Sequence, residues 1–286
     1  MMNKKKLYPI GFAMPALMIF AIFFLIPLAI SFYYSLTIWR LDSSEFCGLL
    51  NYKTFFTERT TNSSIIKALI YAFLTCGLKT VLAFFLAVFL TSNIKTKNFL
   101  RSIVFFPAIV STLAVGYTFK SLMHPTKGLI NTVLAFLGMH GVDWLGNTKI
   151  ALYSVIAVDV WKGIGVATVI YIAGISAISP EFYDAAELDG ASGFNKIRYI
   201  IFPLCKSSMN SVIILSLTAG LRSFDMIYAM TGGGPGFATE VMALSVYKQY
   251  ANGFYGLSTA GNVIMLIMIA IIAFPLDRYL RSKEES

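Results

Sequence analysis

Six stretches of this chain, at 10–38, 65–92, 102–121, 150–177, 207–224 and 257–276, are mostly apolar over the roughly 20 residues that a helix needs to cross a hydrocarbon core. Lipid offers no hydrogen bonds, so a segment held there must satisfy its own backbone, and an α-helix does so within one stretch. The spacing therefore predicts an all-α integral membrane protein of six transmembrane helices, read as one polytopic domain over 1–286. Composition agrees: 57% of the 286 residues are apolar and only 13% are charged, against about 45–50% and about 25% in a soluble domain. A disordered chain is excluded, and a soluble enzyme is disfavoured. The first stretch follows Lys4, Lys5 and Lys6. Its apolar run far exceeds the roughly 7–15 residues of a signal-peptide core, and no small-residue cleavage site closes it. It is read as a retained anchor.

A net charge of +9 raises the question of nucleic acid, which the positions of the charges answer. With the N-terminus inside, the cytoplasmic segments carry an excess of five basic residues, the outer loops an excess of two and the spans an excess of two. The short segment 93–101, NIKTKNFLR, shows the bias most clearly, and the asymmetry follows the positive-inside rule. Both termini are expected on the cytoplasmic side, and no nucleic-acid partner is expected. Cys47, Cys76 and Cys205 form no CxxC and have no nearby His, so neither a zinc site nor a disulfide framework is expected.

The segment 178–206 between the fourth and fifth spans, ISPEFYDAAELDGASGFNKIRYIIFPLCK, is the most informative. Ser179 and Pro180 can open a helix as N-cap and first helical residue. Glu181 and Asp184 complement its positive end, and Gly190 can close it in a left-handed conformation. A second helix is predicted from Gly193, with Phe194, Ile197 and Ile201 on one face, and Pro203 should break or bend the chain before the next span. Periodicity alone leaves two readings open: a hairpin lying on lipid headgroups and a docking element for a soluble partner.

DAAELDG at 184–190, nine further residues and IIFP at 200–203 resemble the EAA loop of binding-protein-dependent ABC importer permeases. Asp184 stands for the usual Glu and Phe202 for the usual Leu. FFPAIVS at 105–111, HPTKGLIN at 124–131, VWKGIG at 160–165 and MTGGGP with its following Thr in 224–240 are similar to segments of the carbohydrate-importing branch. The resemblance covers about residues 15–280. It implies a six-helix permease of the type I importer fold, whose coupling helix, carrying Asp184, Ala185, Ala186 and Gly190, enters a cleft of the ATPase.

Nothing in the chain supplies energy or chemistry. GLKT at 77–80 lacks the Walker A order and GGGPG at 232–236 lacks the Lys and hydroxyl that a phosphate-binding loop needs. The second is better read as a tight turn. No HExxH, GxSxG or DxDxDG motif occurs, and His124 and His140 are isolated. No catalytic residue, metal site or cofactor is assigned to this chain, and the resemblance places ATP and Mg on partner ATPase subunits.

Four ionisable residues, Lys79, Asp159, Lys162 and Arg222, fall within spans, where each is costly and hence a functional hypothesis. Asp159 and Lys162, three apart, share a helix face and can pair; such a pair can serve a path or merely lock the helix. Interhelix pairing is the plainer reading of Lys79. Ser216, Gly220 and Ser223 form a small, polar stripe that can pack helices or line a path. In maltose-type relatives the sugar is held by the helices flanking the EAA loop. The resemblance carries that role to Asp159, Lys162, Gly163, Val166, Ser216, Gly220 and Ser223, with Trp161 as an aromatic platform beside the polar groups.

The resemblance thus implies the permease subunit of an ATP-driven sugar importer, most naturally for an oligosaccharide, in a bacterial cytoplasmic (inner) membrane. Implied partners are a second homologous permease, two ATP-binding subunits, an extracytoplasmic sugar-binding protein, the sugar and the bilayer. An anionic cargo (sugar acid, sialic acid or glycerol phosphate) is the alternative, suggested by Lys162 and Arg222. A standalone channel or membrane enzyme is disfavoured by the missing motifs.

Overall fold

The computed structural model describes residues 10–40, 43–92 and 94–284; Lys4, Lys5, Lys6 and Glu285 of the charge pattern lie outside them, as does Asn93 at the start of the basic loop. In chain order the described residues form α1 (Met14–Ser35), a hairpin of β1 (Thr37–Trp39) and β2 (Ser44–Phe46), α2 (Leu50–Thr57), α3 (Arg59–Thr91), α4 (Lys97–Ile109), α5 (Thr112–Leu122) and α6 (Leu129–Phe136). Then follow α7 (Ala151–Ser176), α8 (Pro180–Leu188), α9 (Gly193–Leu204), α10 (Lys206–Leu221), α11 (Asp225–Met230), α12 (Met242–Ala251) and α13 (Tyr255–Ser282). The helices α1, α3, α7 and α13 are each long and apolar enough to cross a membrane, and the bent pairs α4–α5 and α9–α10 bring the number to six if each is one span.

Two of the expected spans need correction. The stretch 102–121 is not one rod: α4 and α5 meet at 97°, because Val110 and Ser111 leave the helical region for extended backbone. Pro107, three residues earlier, has already withdrawn one amide from the hydrogen-bond ladder. The stretch 207–224 stops being helical at Leu221, and its 16 residues measure about 24 Å, less than the hydrocarbon core. The bend before it, 69°, falls at Cys205 rather than at Pro203, which is accommodated inside α9.

The chain packs as two compact units, the first made of residues up to Arg59 with Val246–Ile264 and the second of Thr60–Ser245 with the residues from Met265 onward. In the first unit the Asn51 amide donates to the carbonyls of Ser35 and Thr37 at 2.9 and 2.8 Å, pinning the end of α1 and the start of the hairpin. Trp39 stacks on Tyr34, with ring centroids 4.1 Å apart. Small residues let α13 approach closely: a Cβ on Gly256 would lie 2.1 Å from the Thr37 carbonyl oxygen.

In the second unit α3, α7 and α10 form the packed centre. Tyr171 of α7 is fully buried and meets Phe84 of α3 edge to face at 5.5 Å, and Leu217 and Leu221 of α10 pack with Ala72 and Cys76 of α3. α4 lies against α7 at Gly165, where a Cβ would stand 2.5 Å from the Val104 carbonyl oxygen. α5 lies against α11, with the corresponding position of Gly116 2.5 Å from Ala229 Cβ. The glycine-rich segment after α11 is a tight turn in which Thr239 Oγ1 donates to the Gly234 carbonyl at 2.8 Å and shares a 2.7 Å bond with Thr231. His124 is structural: its ring nitrogen Nδ1 accepts from the backbone amides of Thr126 and Lys127 at 3.3 and 3.2 Å.

Candidate functional site

The residues singled out from the sequence divide between two places in the second unit. The first lies where α3, α7 and α10 meet. On α3, Tyr71, Thr75 and Lys79 recur every fourth residue and form a buried polar stripe in the apolar stretch of the helix. Lys79 Nζ reaches Asp159 Oδ2 on α7 at 2.6 Å, and their side chains retain only 9% and 19% of their exposure. Gly163, one turn beyond Asp159, leaves room for that lysine: a Cβ there would sit 2.7 Å from Lys79 Cε and 2.8 Å from Nζ. The Tyr71 hydroxyl is buried without a partner in hydrogen-bonding geometry, and Asp159 and Ser223 are polar groups beside it.

This geometry corrects the expected pairing of Asp159 with Lys162. Asp159 pairs across helices with Lys79 instead, and Lys162 Nζ points to the Ala108 carbonyl at 3.5 Å, near the exposed end of α4. Positions three apart share a face, but that does not make them partners. A lysine from a neighbouring helix reaches the short aspartate head-on, while Lys162 is drawn to carbonyls freed where α4 ends. Lys79, whose plainer reading was interhelix pairing, has that partner.

Trp161 does not join the cluster. It is two residues from Asp159, so about 200° around the helix, and its ring is 45% exposed, 5.1 Å from that of Phe119 on α5. It lines an apolar recess of about 510 Å³ with Leu78, Leu82, Pro107 and Ile164. Val166 and Arg222 are exposed. Ser216 is buried, and Gly220 is committed to packing, since a Cβ on it would stand 2.7 Å from Ala72 Cα and 2.9 Å from Thr75 Oγ1. Tyr71 and Thr75 were missed from the sequence. Their four-residue recurrence with Lys79 was the available signal, hidden in the long apolar run of the helix.

The second place is the loop between α7 and α10. α8 opens at Pro180 with Ser179 as N-cap residue and closes at Gly190, whose φ is +67°, a conformation glycine adopts without a Cβ penalty. The Ser192 hydroxyl accepts the Asn195 amide and starts α9. Asp184 and Ala185 are exposed, whereas Ala186 turns inward. Glu187 and Lys196 bridge the two helices at 2.7 Å, and this bond, with the charge of Lys196, holds the Glu187 carboxyl below its ordinary range. A cleft of about 750 Å³ between this hairpin and the ends of α3 and α7 is lined by Val88, Ser92, Ile178, Tyr183, Asp184 and Glu187 among others.

Membrane-length helices, a buried ion pair where three of them meet and an exposed helical hairpin between two of the apolar stretches are the features that a membrane-embedded class of protein has to explain. The fold itself is found in a solved transporter. A bacterial ABC transporter involved in import of the acidic polysaccharide alginate has a chain that superposes with a TM-score of 0.84 at 20% identity, covering 95% of this chain and 94% of that one.

This chain belongs to the family of binding-protein-dependent transport system inner membrane components, whose model matches residues 79–284. It is a transporter permease of that family, which is not an enzyme family. Among curated relatives, the trehalose/maltose transport system permease protein MalF of Thermococcus litoralis is 32% identical over 273 residues, 94% of this chain and 92% of that protein. The multiple sugar-binding transport system permease protein MsmF of Streptococcus mutans is 30% identical, covering 92% and 91%.

Proposed function

We propose that this chain is the permease subunit of an ATP-driven sugar importer, most naturally for an oligosaccharide, and forms half of its translocation path. The observation that carries the reading is the polar cluster of Lys79, Asp159, Tyr71 and Ser223 at the meeting of three apolar helices. Intramembrane polar groups at such a junction mark a path, and these lie on or beside the helices that flank the hairpin. The names of the curated relatives point to sugars.

On this reading Asp159 and Ser223 offer hydrogen bonds to cargo hydroxyls, with Lys162, Gly163, Ser216 and Gly220 shaping the wall. Trp161 and Val166, exposed on α7, face whatever covers that side. A second, similar permease completes the path. An extracytoplasmic sugar-binding protein delivers the cargo, a reading supported by a related solved transporter in complex with an alginate pentasaccharide-bound periplasmic protein. Two ATPase subunits bind ATP and Mg, so this chain holds no cofactor. Both termini lie on the cytoplasmic side.

Energy enters through α8. Asp184 and Ala185 are presented outward, Ala186 seats the helix and Gly190 sets its exit direction. Closure of the ATPases pushes this helix and rocks the spans between inward- and outward-facing states. Gly190→Pro demands a backbone angle opposite in sign to the +67° found, and Ala186→Glu places a charge where α8 is buried. Both variants should reach the membrane in normal amount and abolish ATP-driven sugar uptake in proteoliposomes; unimpaired uptake would refute the coupling role. An anionic cargo is the second reading, favoured by the sn-glycerol-3-phosphate transport permease UgpA of Agrobacterium fabrum, 29% identical over 281 residues.

A further inference from the structure

We infer that α3 forms a third wall of the cargo site and that Lys79 is its specificity-determining residue, tuning Asp159 to accept uncharged, polyhydroxylated cargo and to turn anionic cargo away. The inference rests on the sugar-importer reading and goes beyond it by naming the charge class. Lys79 engages a single carboxylate oxygen, Oδ2, and a carboxylate has acceptor sites to spare on its other oxygen. The aspartate is also the more exposed partner, 19% against 9%. What the site offers a visitor is therefore an acceptor edge whose charge is neutralised from behind.

Such an edge binds hydroxyl donors. A uronate, a phosphate or a sialic acid would set its own acceptor oxygens against this acceptor edge, with no free cation there to receive them. Lys79 cannot itself receive that anion, because its ammonium is held on Asp159 and its stem lies across Gly163, where a Cβ would stand 2.7 Å from Cε. Tyr71 adds the independent sign that the cluster is built for a ligand. It is fully buried with its hydroxyl unpartnered, beside the same carboxylate and Ser223.

The test is equilibrium binding of maltotriose, cellotriose and trigalacturonate to the intact transporter complex in lipid nanodiscs, without its binding protein. The wild type should prefer the neutral trisaccharides. Asp159→Asn leaves Lys79 uncompensated and should shift the acidic-to-neutral preference by about tenfold or more toward the uronate, while Lys79→Gln should not. Lys79→Gln with Asp159→Asn, which leaves neither charge, should return the preference toward neutral and also controls for folding, as does the charge exchange Lys79→Asp with Asp159→Lys. Parallel loss of all three sugars with an unchanged ratio, or full rescue of wild-type selectivity by the charge exchange, would reduce the pair to a structural lock and overturn the inference alone. A wild type that prefers trigalacturonate also overturns it while leaving the importer reading intact. A wild type that binds none of the three overturns both.

Discussion

Two ion pairs of nearly equal length sit in the second unit, and they illustrate opposite uses of the same chemistry. Lys79–Asp159 spans 2.6 Å with side chains 9% and 19% exposed; Lys196–Glu187 spans 2.7 Å with side chains 21% and 69% exposed. Distance does not distinguish them, but surroundings do. In a low-dielectric bundle each charge has lost its water and depends on its partner. On an exposed hairpin either charge can be released to solvent at little cost. The first pair is suited to fixing a geometry, and the second to joining two short helices that must move.

The largest break in this comparison should come from Lys79→Met, which strands Asp159. We expect a loss of about 3–5 kcal/mol, seen as a lowered thermal midpoint of the reconstituted protein, with much of it recovered when Asp159→Leu is added. Next comes Gly163→Val, which alters no charge but drives a side chain into the space of Lys79 Cε and Nζ. Overpacking of this kind costs about 1–3 kcal/mol, and the same melting experiment should show it. If Gly163→Val melts like the parent, the lysine is not held as tightly as its burial implies.

The exposed region should respond more mildly. Gly190→Ala meets no atom within 4 Å of its new Cβ, so only the left-handed backbone resists it, at about 1 kcal/mol. Its melting midpoint should move less than that of Gly163→Val. Smallest of all is Glu187→Gln, which should lower the midpoint only slightly at neutral pH and not at all at the acid end of the stability profile, where the bridge is already lost. The sign follows from the lowered pKa of Glu187: the bridge contributes above the ordinary carboxylate range and is lost as pH falls through the depressed value. A midpoint drop for Glu187→Gln that matches Lys79→Met would erase the distinction between the two pairs.

Much of the architecture was legible in the chain. Apolar length located four membrane-length helices and the neighbourhoods of two bent pairs, and Pro180 and Gly190 marked the two ends of α8. These features act over a few residues, where propensity and periodicity have direct physical meaning. The bends were less legible. Pro107 and Pro203 marked their neighbourhoods, but the 97° and 69° turns fall at 110–111 and at Cys205, where packing against neighbouring helices rather than proline sets the break. Trp161 was drawn into the site by its nearness in sequence to Asp159. A two-residue step on a helix points away, and the structure turns the ring toward Phe119.

The sequence by itself determined that the chain carries membrane-length apolar stretches, roughly where they lie, and where a glycine-ended helix stands between two of them. Each of these follows from local hydropathy, charge and backbone chemistry. Only the tertiary structure decided which charge meets which. One acid and three bases lay within the spans, and Asp159 chose a lysine 80 residues away over one three residues away, because α3 passes beside α7 where Gly163 leaves room for the Lys79 stem.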